Sequence, residues 1–103
     1  MALVMGIDLG TSSTKTVLMD EAGQVVATAS AGYPLLTPRA GWVEQNPSDW
    51  WRAVCDTIRQ AIRQLTLPLT ARDIKGVSLS GQMNGAVCVD SAGNPSRPAL
   101  SWL

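Results

Sequence analysis

Residues 6–15, Gly-Ile-Asp-Leu-Gly-Thr-Ser-Ser-Thr-Lys, decide the fold, because an apolar run ends there in a short polar turn. The run covers residues 3–9 and is almost continuously apolar, which is the pattern of a strand buried on both faces. We therefore predict that this strand is central in a sheet. The glycine and hydroxyl residues that follow predict a tight turn, after which the chain returns as a second strand.

The turn also has the composition of a phosphate site. Gly10 lets the backbone approach an anion, while Thr11 and Ser12 offer N–H and O–H donors. Lys15 supplies positive charge, and Asp8 could hold Mg²⁺ directly or through water, since this cation prefers oxygen ligands. The alternative is an ordinary hairpin turn with a solvated lysine. The stretch is neither a Walker loop nor a dinucleotide fingerprint, because its donors lie between two strands instead of at a helix start.

Two further strands are predicted at residues 14–19 and 25–31. Residues 20–24 between them read Asp-Glu-Ala-Gly-Gln, in which Gly23 can supply the positive φ of a short hairpin. The first three strands therefore predict an antiparallel meander. A loop from Gly32 to Asn46 follows, and its prolines and glycine are expected to break any regular element.

A helix is predicted to begin at Asn46, which offers a side-chain acceptor at the N-cap, with Pro47 in the first turn and Asp49 near the positive end of the dipole. One apolar stripe at helical spacing continues it: Trp50, Val54, Ile58, Ala61, Ile62 and Leu65. Residues 70–73 predict one capped helical turn, and strands are predicted at residues 76–80 and 86–90. The order is βββαββ, a mixed sheet with one main helix.

Composition bounds the function. Eight basic residues balance eight acidic ones, which favours no nucleic-acid partner. No apolar run approaches the roughly 20 residues of a membrane span and the N-terminus lacks a signal-peptide pattern, so we predict no membrane partner and a cytoplasmic location. Cys55 and Cys88 lack metal or redox spacing and are expected to be buried, reduced thiols. The absence of histidine excludes a Ser-His or Cys-His catalytic pair within these residues.

Three separated segments, residues 6–27, 41–51 and 74–102, resemble in order and spacing the N-terminus of the FGGY carbohydrate kinases. The resemblance spans essentially the whole chain. It is closest to the xylulokinase-like members, which carry Gly-Gln-Met-His-Gly where this chain has Gly-Gln-Met-Asn-Gly at residues 81–85. Glycerol kinases are similar at the first motif but carry a different, arginine-containing sequence at the second.

The resemblance implies an α/β fold of the ribonuclease-H-like, actin-like ATPase type. Residues 1–103 would form an incomplete half-domain, the N-terminal part of the kinase N-terminal domain, without the C-terminal domain. The implied activity is ATP-dependent phosphorylation of a xylulose-like ketose or a related polyol, with ATP and sugar meeting between two domains. Asp8 would be the Mg²⁺-associated acid, the first phosphate loop would contain Gly10, Thr11, Ser12 and Lys15, and the sugar contacts would be Gln82, Met83 and Asn84.

Two departures from the family pattern matter. Asn84 stands where a histidine usually contacts the sugar, and an amide exchanges hydrogen bonds but does not titrate near neutrality, so the sugar is left open. The resemblance also implies that the general-base aspartate of the family lies beyond Leu103. No catalytic residue is therefore expected within this chain, and the 103 residues alone are expected to be inactive.

Other interpretations stay open at this point. A non-catalytic fragment that at most binds phosphate would leave a sheet edge open and would favour a homodimer. A nuclease of the ribonuclease H type needs several clustered carboxylates, whereas only Asp8 is well placed. Trp50 and Trp51 are expected to pack the helix instead of contacting a ligand. For Glu44 and Gln45 a scaffold role and a site role are equally supported.

Overall fold

The computed structural model describes residues 1–83 and 85–101. Its regular elements are, in chain order, β1 (Leu3–Leu9), β2 (Ser13–Asp20), β3 (Val25–Gly32), β4 (Glu44–Gln45), α1 (Pro47–Arg63), a 3₁₀ turn (Ala71–Asp73), β5 (Ile74–Gly81) and β6 (Ala99–Leu100). None of the described residues forms a helix with the length and apolar character that a bilayer crossing requires.

Four strands form the main sheet in the order β3-β2-β1-β5. β1 pairs antiparallel with β2, and β2 pairs antiparallel with β3, as the meander predicted. β5 pairs parallel with β1, because α1 carries the chain across the sheet before it returns. The predicted mixed sheet with one main helix is confirmed, and β1 lies inside the sheet between β2 and β5.

Helix α1 begins where its capping residues predict. The Asn46 side chain accepts a hydrogen bond from the N–H of Ser48, and Pro47 and Asp49 occupy the first turn. A capping box also closes the 3₁₀ turn, in which the Thr70 and Asp73 side chains bond each other's backbone.

The core lies between α1 and one face of the sheet. Its buried members are Met5, Ile7, Leu18, Ala27, Ala29 and Ala61. The most deeply buried residues of the helix are Ala53, Thr57 and Ala61. The buried face is therefore shifted by about one residue from the predicted stripe, of which Val54, Ile58 and Leu65 pack against the core partly buried. Small residues at the centre let the helix approach the sheet closely, and the Thr16 and Thr57 hydroxyls share a hydrogen bond of 2.8 Å there.

The expectation that β1 is buried on both faces is wrong for the described structure. Leu3, Met5 and Ile7 are buried beneath α1, whereas Val4 is 50% exposed and Asp8 is exposed on the opposite face. Adjacent strand residues point to opposite faces, and no described element covers the second face. The apolar run therefore marks a two-sided strand of which only one side is packed here.

The predicted strand at residues 86–90 is also wrong. Within the described residues this segment makes only isolated bridges, Ala86 with Leu100 and Val89 with Pro95. Proline has no N–H to donate, which prevents the second bridge from extending into a ladder. Conversely, the loop expected to lack regular structure contains β4, which pairs antiparallel with β6.

The cysteine expectation needs a correction. Both thiols are free, but Cys55 is only partly buried and Cys88 is exposed. Among the residues that the structure describes, no strand packs along the segment around Cys88, so its apolar residues stay at the surface.

Candidate functional site

The turn between β1 and β2, residues 10–13, is as tight as the sequence predicts. The N–H of Gly10 donates to the Ser13 carbonyl at 2.9 Å. A Cβ atom at Gly10 would lie 2.9 Å from that same carbonyl oxygen, which is closer than a real side chain allows. Glycine is therefore required at position 10 for this turn to close.

Residues distant in sequence hold the backbone carbonyls of the turn. The Tyr33 hydroxyl donates to the Gly10 carbonyl, and the Tyr33 N–H donates to the Ser12 carbonyl at 3.2 Å. The Gln45 side-chain Nε2 donates to the Thr11 carbonyl. The Gly10, Thr11 and Ser12 carbonyls therefore point towards Tyr33 and Gln45, both of which are buried.

This arrangement sets the direction of the N–H groups. In a planar trans peptide, the N–H of each residue points opposite to the carbonyl of the residue before it. The N–H groups that follow the three held carbonyls, those of Thr11, Ser12 and Ser13, are thus directed away from Tyr33 and Gln45. A run of amides turned outward in this way is the feature that binds an anion in backbone nests.

Asp8 and Lys15 lie directly opposite each other in the β1–β2 ladder, and Ser80 of β5 lies opposite Asp8 on its other side. Directly paired residues project from the same face, so these three side chains share one side of the sheet. They line a shallow groove of about 270 Å³, completed by Gly6, Ile7, Val17, Ser78 and Leu79. Both charged side chains are exposed, and Asp8 Oδ2 lies near Gly10.

Tyr33 is a part of the site that the sequence analysis missed. Burial raises the pKa of its phenol above the usual 10.0, and the negative charge of Asp8 adds to the rise, while the Thr14 hydroxyl opposes it. The phenol therefore stays protonated and can donate to Gly10. A tyrosine directly after a strand and before Pro34 gives no signal of this contact, since its partner lies 23 residues earlier.

Gln45 connects the turn to the predicted sugar-side segment. Its Oε1 accepts from Gln82 Nε2 at 2.9 Å and from the Trp50 indole N–H at 3.2 Å. The Gln82 N–H also donates to the Leu9 carbonyl at 2.9 Å. The predicted phosphate residues and Gln82 are thus brought together at the ends of β1 and β5, above a cavity of about 240 Å³ that Gln45, Trp50 and Gln82 line.

The remaining predicted site residues differ in their placement. Gln82 is half-buried, whereas Met83 is 75% exposed. Asn84 lies outside the described residues. Leu103, beyond which the general-base aspartate is expected, also lies outside them, so the location of that base stays a prediction.

The two tryptophans at the start of α1 differ from each other. Trp50 is partly buried and donates its indole N–H to Gln45, so it supports the candidate site. Trp51 is 70% exposed, so the packing expectation does not hold for it.

Glu44, for which the sequence left two roles open, is buried and pairs with Arg97. This contact joins the start of β4 to the segment before β6, whose strands pair directly. Glu44 therefore has a scaffold role in the described structure.

The residues present fit Mg²⁺ only as part of a metal–phosphate complex. Among residues 1–83 and 85–101, no three His, Cys, Asp or Glu side chains cluster as a metal site. Mg²⁺ in phosphate-transfer sites is commonly held by one or two carboxylates, the phosphates and several waters. Asp8, exposed beside the outward-facing turn, offers one such carboxylate.

Comparison with known proteins gives a consistent result. Residues 3–103 match the family model described as "FGGY family of carbohydrate kinases, N-terminal domain". The chain is 41% identical over 102 residues to a xylulose kinase from Bacillus subtilis and 37% identical over 99 residues to a gluconokinase from the same organism. These alignments cover 99% and 96% of the chain, but only 20% and 18% of those relatives.

Solved structures agree with this placement. The crystal structure of ligand-bound xylulose kinase from Lactobacillus acidophilus superposes with a TM-score of 0.87 at 29% identity, covering 99% of this chain and 20% of that one. The described residues therefore share the fold of a part of that xylulose kinase. The chain belongs to the FGGY family of carbohydrate kinases.

Proposed function

We propose that this chain supplies the phosphate-side turn and part of the sugar pocket of an ATP-dependent carbohydrate kinase. The acceptor is a xylulose-like ketose or a related polyol. When bound, MgATP supplies an electrophilic γ-phosphoryl group to a sugar hydroxyl. Catalysis of this kind depends mainly on positioning and on neutralising charge, and both tasks suit residues of this chain.

One observation carries the proposal: Tyr33 and Gln45 bond the carbonyls of residues 10–12, which directs the following N–H groups away from these two residues, in a turn flanked by the paired Asp8 and Lys15. The outward amides and the Lys15 ammonium would bind phosphate oxygens. Asp8 would contact the metal or its water shell. No residue of this chain is proposed as the general base.

The sugar side of the proposal rests on Gln82, Met83 and Asn84. Gln82 is bonded to the turn through Gln45, so a sugar held there would lie close to the phosphates. The similarity to a xylulose kinase supports a xylulose-like ketose as the acceptor, and the similarity to a gluconokinase is the reason to test gluconate as well. The reaction is proposed to take place in the cytoplasm.

The test is a coupled assay of ADP release by the complete protein, with xylulose, gluconate and glycerol offered in parallel. We expect turnover that requires both MgATP and a sugar, with xylulose preferred. The 103-residue chain is expected to show none. Sugar-dependent turnover by the short chain would refute the proposal that no residue of this chain is the general base. A complete protein inactive with every sugar would refute the kinase assignment.

A second candidate function, self-association without catalysis, has its own observation. β5 is an edge strand of the main sheet, and residues 76–81 carry no charge that would discourage pairing with another strand. Leu79 is 75% exposed beside Trp51, over an apolar groove between α1 and β5. Such an uncharged open edge favours pairing with a second copy.

Light scattering of the 103-residue chain tests this candidate. We expect a dimer that the Leu79→Lys variant converts to a monomer, because a charge on an edge strand opposes strand addition. Thr28→Lys, on the opposite edge strand β3, is the matched control and should leave the dimer intact. A wild-type chain that scatters only as a monomer at high concentration would dismiss the second candidate.

A further inference from the structure

We propose that Gln45 is a positioning residue, which fixes the 10–13 turn and the Gln82–Met83 segment in one relative geometry. The inference rests on the proposed function, because those two segments are its phosphate and sugar sides. Gln45 is 1% exposed and bonds one residue from each side. Because its side chain is so deeply buried, it would act through these neighbours and not by contact with a substrate.

The hydrogen bonds fix which way the Gln45 amide points. Its Oε1 receives two N–H groups, from Trp50 and Gln82, while its Nε2 faces the Thr11 carbonyl. If Oε1 and Nε2 exchanged places, the Gln45 NH₂ would face the N–H groups of Trp50 and Gln82, and its oxygen would face the Thr11 carbonyl. A side-chain amide has two donors and two acceptor lone pairs, and three of these four are used in one orientation.

The backbone of Gln45 is itself held in place. β4 pairs with β6 through Gln45 and Ala99, and the next residue, Asn46, caps α1. The neighbouring Glu44 is buried and paired with Arg97. The amide therefore projects from a backbone that three contacts hold in place, and displacement of the turn or of Gln82 would break a partly buried hydrogen bond.

Two substitutions separate the contacts. Gln45→Met keeps the size of the side chain and removes all three hydrogen bonds. Gln45→Glu keeps an acceptor for Trp50 and Gln82 but sets an oxygen against the Thr11 carbonyl, so it disturbs the phosphate side selectively. Assays at a pH of about 8.5 keep the introduced carboxylate ionised.

Gln64, the exposed C-cap residue of α1, provides a control at a distant amide that also bonds backbone groups. Its Nε2 donates to the Thr28 carbonyl at 2.6 Å, and its Oε1 accepts from the Thr28 N–H at 3.2 Å. Gln64→Met and Gln64→Glu make the same chemical changes at an amide that also bridges α1 to backbone. That amide lies at the far end of α1 from residues 10–13 and 82–83.

The kinetic measurement compares KM and kcat of the complete protein. We expect Gln45→Met to raise KM for both MgATP and sugar about tenfold, and Gln45→Glu to raise mainly the KM for MgATP. A purely structural role would lower the folded fraction and hence apparent kcat at unchanged KM. Unchanged KM values in a folded Gln45→Met variant, or equal KM changes in the Gln64 variants, would overturn the proposal.

A second measurement does not depend on turnover. In ¹⁵N spectra of the 103-residue chain, Gln45→Met should shift the amide signals of both Thr11–Ser12 and Gln82–Met83, whereas Gln64→Met should shift neither pair. If only one pair moves, Gln45 does not connect the two sides and the proposal fails. If both pairs move but the complete protein phosphorylates no sugar, the proposed kinase function fails and the role of Gln45 in the reaction fails with it.

Discussion

Two short turns of this chain differ in how far away in sequence their hydrogen-bond partners lie. In the turn at residues 20–24, Oδ1 of Asp20 accepts from the N–H groups of Ala22 and Gln24, both at 2.9 Å, and Gly23 adopts a φ of 83°. Both of these partners lie within four residues of Asp20, although Glu21 of the same turn also accepts from the N–H of Ala2 at 2.7 Å. The 10–13 turn instead depends on Tyr33 and Gln45, which lie 23 and 34 residues away from their partners.

A third turn shows how strongly the local type is determined by its own residues. At residues 90–94, Asp90 bonds Ala92 and Asn94 at the same two distances, and Gly93 has a φ of 86°. The similar sequences Asp-Glu-Ala-Gly and Asp-Ser-Ala-Gly give the same geometry in unrelated surroundings. The turns at residues 20–24 and 90–94 are thus shaped mainly by their own residues, and we call them self-sufficient. The turn with a proposed ligand, residues 10–13, is shaped by contacts with distant parts of the fold.

Among substitutions that compare the candidate site with the self-sufficient turns, Asp8→Asn is expected to have the largest effect, which is on kcat. In the complete protein, Asp8→Asn should lower kcat at least about a hundredfold, since it removes a charge proposed to serve the metal. The fold should survive because Asp8 is exposed. Asp90→Asn, the same change in a self-sufficient turn, should leave kcat unaltered. Steady-state assays check both, and wild-type turnover in Asp8→Asn would remove Asp8 from the site.

Gly10→Ala should have the next largest effect. Its Cβ would meet the Ser13 carbonyl at 2.9 Å, and we expect a loss of about 1–3 kcal/mol in the free energy of unfolding from this overpacking. Gly6→Ala is the control, because a Cβ there has no described atom within 4 Å apart from those of Gly6 and its two chain neighbours. Urea denaturation of both variants measures the difference. Equal stability of the two would show that the turn can relax without cost.

Tyr33→Phe should cost about 1 kcal/mol of stability at neutral pH, because the Gly10 carbonyl loses its donor. The pH dependence gives a second check. Since the pKa of Tyr33 is raised by folding, the unfolded chain ionises first, and the wild type loses stability as the pH rises above about 10. Tyr33→Phe lacks this loss, so the two proteins should converge in urea denaturation at alkaline pH. A gap that widens there would contradict the assignment.

The smallest effects are expected in the self-sufficient turns. Asp20→Ala and Asp90→Ala each remove two exposed hydrogen bonds and should cost about 0.5–1 kcal/mol of stability, by similar amounts. Neither should change the KM for MgATP in the complete protein. Urea denaturation and steady-state kinetics measure the two quantities. A changed KM in either variant would mean that these turns also communicate with the site.

Local patterns predicted much of the fold. The Asn46 cap, the Gly23 turn and the first three strands all depend on interactions within a few residues, and all are present. The predictions were wrong where the structure depends on packing between segments that are distant in sequence. Residues 86–90 are apolar enough for a strand, but within the described part of the chain they form only isolated bridges. β1 has the composition of a strand covered on both faces, although one face is open there.

In the candidate site, too, some features follow from the local sequence and others from tertiary contacts. Residues 8–15 by themselves determined that a tight, donor-rich turn would follow an acid, because glycine and hydroxyl residues constrain the backbone locally. Only the tertiary structure decided which way that turn faces, since the hydrogen bonds that orient its carbonyls come from Tyr33 and Gln45. A sequence pattern records spacing along the chain, whereas these contacts depend on where the folded sheet and α1 place residues that are far apart in sequence.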